Sequence, residues 1–210
     1  GLVAVGITRA RSWTATRERL VEHRHSGHGA DMEFTLRKPA RSTEPQRLLR
    51  DCRWLVVGAW SYAQEVPVRP VGPIARVSRY ATADHYARME QALGVIVGRL
   101  RADGHRAAVY SDTNGLVDRE AAWRAGIGWY GRNSNILISG IGSWVVLGAV
   151  ATDAELAPLQ PPRFEGCGAC RRCIDACPTG AIDEHGVVDA RRCLAWVVQV
   201  LAAGGALHRQ

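Results

Sequence analysis

Apolar and polar positions follow two different periods along residues 1–155, and these periods predict strands and helices in turn. The run WLVVGAWSYA at 54–63 is almost wholly apolar, which predicts a buried strand. From Thr82 to about Ala102 the apolar residues recur every three or four positions, and Gly104 follows as a stop signal, so we expect a helix. Strands alternating with helices predict an α/β architecture.

Further segments extend this pattern. AAVYS at 107–111 predicts a short strand, and DTNG at 112–115 predicts a turn that precedes a second helix carrying Trp123. NILIS at 135–139 and SWVVLGAVA at 143–151 predict two more strands, which would complete the same sheet.

A proline-punctuated connector, LAPLQPPRFEG at 156–166, predicts a boundary between two units. We therefore divide the chain into an α/β domain at 1–155 and a smaller unit at 156–210. The smaller unit contains most of the cysteines, a short turn GAI and a helix predicted from about Asp189 to Ala202.

Length and composition suit a soluble globular protein with one good-sized domain and a small appendage, since 47% of 210 residues are hydrophobic. No run approaches the roughly 18 apolar residues of a membrane span, and the first residues do not form a secretory signal. We expect a cytoplasmic monomer. The net charge of +7 favours the binding of polyanions such as nucleic acids. However, all basic residues except Lys38 are arginine, and they are spread along the chain. Charge alone therefore leaves open whether the protein binds a nucleic acid.

The most specific motif is CGACRRCIDACP at 167–178, a CxxCxxCxxxCP run typical of bacterial ferredoxins. In that pattern three thiolates bind one [4Fe-4S] cube and the fourth binds a second cube. Pro178 lacks an N–H and stops a helix after the fourth cysteine, so the backbone can turn towards the other cluster. The alternative is a zinc site, which also uses CxxC pairs.

Two cubes need about eight thiolates, but the chain has six cysteines. Cys193 is a candidate ligand, although a lone cysteine on an apolar helix face is often simply buried. We expect Cys52 to be structural.

A second constellation spans residues 112–137. Asp112 ends a predicted strand, where open α/β sheets bind ligands, and closely spaced glycines downstream would let a bulky flat ligand approach the backbone. These glycines and the polar residues that follow them are Gly126, Gly128, Gly131, Arg132, Asn133 and Ser134. On physical grounds alone the alternative stays open, because an aspartate that opens a turn is often only a turn residue.

Taken together, the two constellations resemble the epoxyqueuosine reductase family. The likeness covers essentially residues 1–200 and includes ARVSRYATADHYARM at 75–89, DTNG, AGIGWYGRNSNIL, GSWVVLGAVATDAEL and CGACRRCIDACPTGAI. The resemblance implies a base-off cobalamin-binding α/β domain joined to a two-cluster ferredoxin-like module, a pairing shared with reductive dehalogenases. It also implies removal of the epoxide oxygen of epoxyqueuosine in a tRNA anticodon loop, leaving queuosine.

The resemblance assigns roles to individual residues. Asp112 matches the general acid, the clusters would relay single electrons from an external donor to cobalamin, and tRNA would be the partner. The first cluster would use Cys167, Cys170 and Cys173, and the second Cys177 and Cys193. The implied cobalamin pocket consists of Arg41, Tyr110, Asn114, Trp129, Arg132, Asn133, Ser134 and Ser143.

The chain also departs from the family. Arg132 replaces a lysine, and Asp84-His85-Tyr86 replaces Asp-Tyr-His. The family begins earlier and continues beyond Cys193 to a second CxxCxxxCP motif. We therefore expect a fragment that is inactive alone, because the second cluster lacks two ligands and the first lacks one.

The general-acid role sets a condition, since an aspartate with a pKa near its usual value of about 3.9 is a poor acid at neutral pH. Asp112 would need burial beside the corrin to raise that pKa. Two other functions stay open: a related cobalamin and iron–sulfur reductase of a small molecule, and a non-catalytic iron–sulfur electron carrier.

Overall fold

The computed structural model describes residues 1–32, 34–63, 72, 78–158 and 166–202. Strands and helices alternate along the larger unit, so the α/β prediction is confirmed. The strands in the described residues are β1 (Ala4–Arg9), β2 (Trp54–Ser61), β3 (Ala107–Ser111), β4 (Trp129–Tyr130), β5 (Ile136–Leu137) and β6 (Val145–Thr152). The α-helices there are α1 (Thr14–His25), α2 (Phe34–Arg37), α3 (Pro39–Ser42), α4 (His85–Ala102), α5 (Asp118–Arg124), α6 (Arg172–Asp175) and α7 (Leu194–Ala202).

The main sheet has the order β1-β2-β6-β3, and each of its three pairings is antiparallel. The predicted strands at 54–63, 107–111 and 143–151 are confirmed, and so is the helix predicted from Thr82, which begins at His85. Asp84 caps this helix by accepting a 2.8 Å hydrogen bond from the backbone N–H of Ala87.

Both faces of the sheet are covered, because side chains alternate along β2. Leu55 and Val57 point into a core that also contains α5, whereas Val56 packs with Met89 and Leu93 of α4 on the other face. A strand buried on both sides has a continuous apolar run, which explains why β2 was recognisable from its sequence.

Two glycines let α4 lie close to the sheet. Gly58 and Gly148 face each other across β2 and β6. A Cβ at Gly148 would lie 2.8 Å from Cε of Met89, and a Cβ at Gly58 would lie 3.1 Å from Cδ2 of Leu93. The absence of side chains at this pair makes room for the buried face of the helix.

Two sequence predictions need correction. NILIS does not join the main sheet, because Ile136–Leu137 pairs instead with Trp129–Tyr130 in a separate two-stranded hairpin. The helix predicted from about Asp189 begins as a 3-10 turn at Ala190–Arg192, and Cys193 separates that turn from α7 in an extended conformation.

The cysteine-containing segment packs against the larger unit through polar contacts. The guanidinium of Arg132 donates to the carbonyl oxygens of Gly168 and Cys170 at 3.1 and 3.2 Å. The N–H of Ala190 donates to the carbonyl of His28 at 2.7 Å. The predicted boundary at 156–166 falls mainly outside the described residues. No helix in the described part of the chain is long and apolar enough to cross a membrane.

Candidate functional site: an acidic cleft beside the cysteine segment

A cleft of about 710 Å³ opens where the end of β3, the start of α5 and the cysteine segment meet. α1 forms another wall of the cleft. Residues that matter for its chemistry are Arg19, His23, Asp112, Thr113, Asn114, Asp118, Arg119, Glu120, Tyr130, Asn133, Ser134 and the segment 186–188. All three pairings of the main sheet are antiparallel, and Asp112 directly follows the carboxyl end of β3.

Asp112 has a left-handed backbone with a φ of 48°. Residues other than glycine rarely adopt this conformation, and those that do are often found at functional sites. Asp112 is also exposed, so the described residues do not provide the burial that a general acid needs.

Asp118, the first residue of α5, is the more deeply buried of the two aspartates in the cleft. Burial raises the pKa of its carboxyl to about 7, the charge of Arg119 opposes that rise, and the negative charge of Asp112 adds to it. Near neutral pH this carboxyl is therefore partly protonated. Sequence patterns did not single out Asp118, because an acid in the first turn of a helix is expected there for structural reasons alone.

A buried carboxylate lies deeper on the same helix. Glu120 accepts a 2.7 Å hydrogen bond from Nε of Arg124 and a 3.2 Å hydrogen bond from the hydroxyl of Tyr130. Burial, followed by the negative charge of Glu120, raises the pKa of Tyr130. Tyr130 thus keeps its proton and anchors the hairpin to α5.

The glycine-rich loop folds tightly onto its own hairpin. A Cβ at Gly128 would lie 2.3 Å from the carbonyl oxygen of Leu137, and one at Gly131 would lie 2.7 Å from Oδ1 of Asn133. The structure thus gives these glycines a packing role within the chain, in addition to any role in admitting a ligand.

The residues expected to hold cobalamin fall into two groups. Asn114, Asn133 and Ser134 line the cleft with Asp112. Asn133 donates a 3.3 Å hydrogen bond to the hydroxyl of Ser143, which joins a further predicted residue to this group.

The remaining predicted pocket residues lie elsewhere. Tyr110 packs against the core and donates its hydroxyl proton to the carbonyl of Leu48, and Arg132 binds the cysteine segment. Arg41 is exposed on α3, and Trp129 is half-buried in β4. None of these four lines the cleft.

Cys170 is exposed, and Cys167, Cys173, Cys177 and Cys193 are half-buried, whereas Cys52 is buried in the core as expected. The thiol of Cys177 accepts a 3.3 Å hydrogen bond from the N–H of Ala181 and lies 3.7 Å from the hydroxyl of Thr179. These contacts lower the pKa of Cys177 to about 7, which favours the thiolate that a metal ligand requires.

Within the described ranges, no three histidine, cysteine or acidic side chains converge closely enough to hold one metal ion. Residues 166–203 match the family described as 4Fe-4S double cluster binding domain, so this segment is of the 4Fe-4S-binding type.

Comparison with known proteins extends the likeness to nearly the whole chain. Epoxyqueuosine reductase of Gloeobacter violaceus is 35% identical over 93% of the chain, which spans 61% of that relative. The structure of epoxyqueuosine reductase from Streptococcus thermophilus has a TM-score of 0.83 at 27% identity, over 95% of this chain and 55% of that one. An epoxyqueuosine reductase solved with an epoxyqueuosine-modified tRNA stem loop has a TM-score of 0.81 at 28% identity, over 95% of this chain and 54% of that one.

A catabolic reductive dehalogenase shares the fold at a TM-score of 0.60 and 19% identity, over 88% of this chain and 24% of that one. The chain thus spans only part of the proteins it matches, just over half in the case of the solved reductases. Sequence and fold agree over that part, and this chain is a homologue of the epoxyqueuosine reductases.

Proposed function

We propose that this chain supplies the cobalamin and iron–sulfur part of an enzyme that reduces epoxyqueuosine to queuosine in a tRNA anticodon loop. One observation carries the proposal: Asp112, strained at the end of β3, lines the same cleft as residues 186–188 of the cysteine segment. An acid for the departing oxygen and the electron-transfer segment therefore border one space.

The cysteine segment suits [4Fe-4S] clusters by its donor set. Cys167, Cys170 and Cys173 would serve a first cluster, and Cys177 with Cys193 would contribute to a second. The N–H of Ala181 donates towards the sulfur of Cys177, and hydrogen bonds of this kind tune the potential of a bound cluster. An external low-potential donor would supply the electrons.

The polar residues Asn114, Asn133 and Ser134 in the lining of the cleft suit a large polar ligand such as cobalamin. The hydroxyl of Ser111, next to Asp112, is buried without a hydrogen-bond partner among the described residues. Asn114 presents an exposed side chain beside it, and Asn133 is fixed by its bond to Ser143. Asn114, Asn133, Ser134 and Ser143 are the residues that would hold the cofactor, which would supply a strongly reducing centre for the carbon–oxygen bond.

The role we assign to Asp112 is proton donation to the epoxide oxygen. Its exposure in the protein alone means that the bound cofactor and the anticodon loop must exclude water from its carboxyl. Arg19 and Arg119 at the cleft could contact phosphates of the loop, since guanidinium groups bind them bidentately. The modified base of a loop is accessible without melting a duplex.

The proposal is tested by anaerobic reconstitution with iron and sulfide, followed by cobalamin, a chemical one-electron reductant that bypasses the clusters, and an epoxyqueuosine-containing stem loop. We expect retained visible iron–sulfur and corrin absorption and, by mass spectrometry, loss of one oxygen atom from the RNA. Asp112→Asn should keep both cofactors and lose about 10²- to 10⁴-fold in rate.

Asp103→Asn is the matched control, because Asp103 is an exposed acid outside the cleft. Failure to retain the corrin, or turnover by Asp112→Asn within a few-fold of the unsubstituted protein, would contradict the proposal. The second candidate function is the reduction of a small molecule, and a small halogenated aromatic compound tested in parallel distinguishes it. The fold shared with the catabolic reductive dehalogenase favours this candidate.

A further inference from the structure

The cleft contains two aspartates of different character, although the proposed chemistry has so far used only one. Asp112 is exposed on the loop after β3, and Asp118 is half-buried at the start of α5. Both line the cleft, and the negative charge of Asp112 contributes to the raised pKa of Asp118.

The inference rests on the proposed function, whose stoichiometry requires two protons. Converting an epoxide to an alkene breaks both carbon–oxygen bonds and forms one carbon–carbon π bond. Two electrons from the low-potential donor enter the carbon framework, and the oxygen leaves as water after gaining two protons. A carboxyl group delivers one proton each time, so Asp112 alone must be reloaded within the reaction.

We propose that Asp118 is the second proton donor of this cleft and supplies one of the two protons that leave with the epoxide oxygen. Asp112 directly follows β3, Asp118 is the first residue of α5, and both residues line the cleft into which the oxygen would depart.

The surroundings of Asp118 suit this role. At a pKa of about 3.9 only about one carboxyl in a thousand would be protonated at pH 7. Burial raises the pKa of Asp118 to about 7, so roughly half of the molecules keep the proton at neutral pH.

Charged and titratable groups face Asp118 from several elements. Arg119 on its own helix lowers its pKa, and Asp112 raises it. Tyr86 at the start of α4 interacts with both aspartates, and burial with these charges raises the pKa of Tyr86 to about 12, so it remains neutral. The cleft is also lined by Arg19 and His23 of α1, by Glu120 of α5 and by Tyr130 of β4.

The first test is the titration of aspartate carboxyls by ¹³C NMR in the unsubstituted protein, in Asp112→Asn and in Asp118→Asn. We expect one carboxyl signal to titrate near pH 7, to vanish in Asp118→Asn and to move to a lower pKa in Asp112→Asn. If every aspartate signal titrated in the ordinary acidic range, the inference would be wrong, whether or not Asp118→Asn folds.

The second test is the pH profile of oxygen removal in the reductant-driven assay. The rate should fall as pH rises through 7 in the unsubstituted protein. Asp118→Asn should lose at least tenfold at pH 8 and less at pH 6, where solvent protons are more abundant, whereas Asp118→Glu should recover part of the rate. Asp103→Asn is again the control.

The outcomes separate this inference from the proposed function. Absence of turnover in the unsubstituted protein with the chemical reductant, which replaces electron relay by the incomplete cluster sites, would contradict the proposed function. Turnover that is unchanged in Asp118→Asn across the pH range would contradict only the role of Asp118.

Discussion

The hydroxyl of Ser134 donates a 2.6 Å hydrogen bond to the carbonyl oxygen of Gly186. This bond joins the glycine-rich loop to the cysteine segment at the wall of the cleft. Gly186 packs so tightly there that a Cβ would lie 2.8 Å from Cα of Arg132, and its φ is 85°. The cysteine segment is therefore held against the loop that carries Ser134 and Arg132.

Gly186→Ala should disrupt this contact. We expect the free energy of unfolding to fall by roughly 2–5 kcal/mol, because the new methyl group adds a steric clash to the cost of a left-handed alanine. Gly104→Ala is a close control, since Gly104 has a φ of 86° but no atom within 4 Å of the place that a new methyl group would occupy. It should cost only about 1–2 kcal/mol. Equal losses in chemical denaturation would show that the contact with Arg132 contributes nothing.

Arg132 was predicted to line the cobalamin pocket, but its guanidinium holds the carbonyls of Gly168 and Cys170. We predict that Arg132→Ala loosens the cysteine turn, so the visible absorption of a reconstituted cluster decays several-fold faster in air. Arg132→Lys should be intermediate, because an ammonium group lacks the planar fork that reaches both oxygens.

Arg172→Ala removes an equal charge from an exposed position in the same segment and serves as the control. Identical decay of the Arg132→Ala and Arg172→Ala clusters would show that charge, and not the two hydrogen bonds, accounts for any effect.

The sequence predicted the elements whose periodicity is set by burial. β2 is apolar throughout because both of its faces are covered, and α4 repeats every three or four residues because one face contacts the sheet. NILIS was assigned to the wrong sheet, since a short apolar run does not identify its partner strand. The backbone of Gly128 packs closely against Leu137, and this contact favours the pairing of β5 with the neighbouring β4.

The site was predictable only in part, for related reasons. Asp112, Asn114, Asn133 and Ser134 were found from the turn and the glycine-rich block, and the structure brings them to one cleft. Asp118 was missed because its unusual proton affinity comes from burial, which depends on how α5 packs. Residues 186–188 line the cleft because Ser134 contacts Gly186, which is distant in the chain. A local sequence pattern cannot predict such a contact.

Asp118 should also change how stability depends on pH. Between about pH 4 and 7 the folded protein keeps the proton of Asp118, whereas the unfolded chain has lost it. The free energy of unfolding contributed by this group therefore falls as pH rises through that window. Because the pKa rises from about 3.9 to about 7, the free energy of unfolding that Asp118 contributes can change by at most about 4 kcal/mol across this window. We expect a change of roughly 2 kcal/mol, because the carboxyl is partly exposed to solvent.

Asp118→Asn should therefore gain stability relative to the unsubstituted protein as pH rises from 4 to 8, measured by urea denaturation at each pH. Subtracting the two curves cancels the contributions of other titrating groups. The same subtraction with Asp103→Asn should show no such rise around neutral pH. A flat difference for Asp118→Asn would mean that its carboxyl ionises normally in the folded protein.

Arg19 offers a test of the proposed RNA contact, because it is exposed on α1 and lines the cleft. If its guanidinium contacts a phosphate, Arg19→Ala should weaken binding of the anticodon stem loop and reduce the slope of log affinity against log salt by about 0.7–0.9. Arg99→Ala, on an exposed part of α4 outside the cleft, removes the same charge and should leave that slope unchanged. Fluorescence anisotropy across a salt series measures both variants, and equal slopes would place the RNA on another surface.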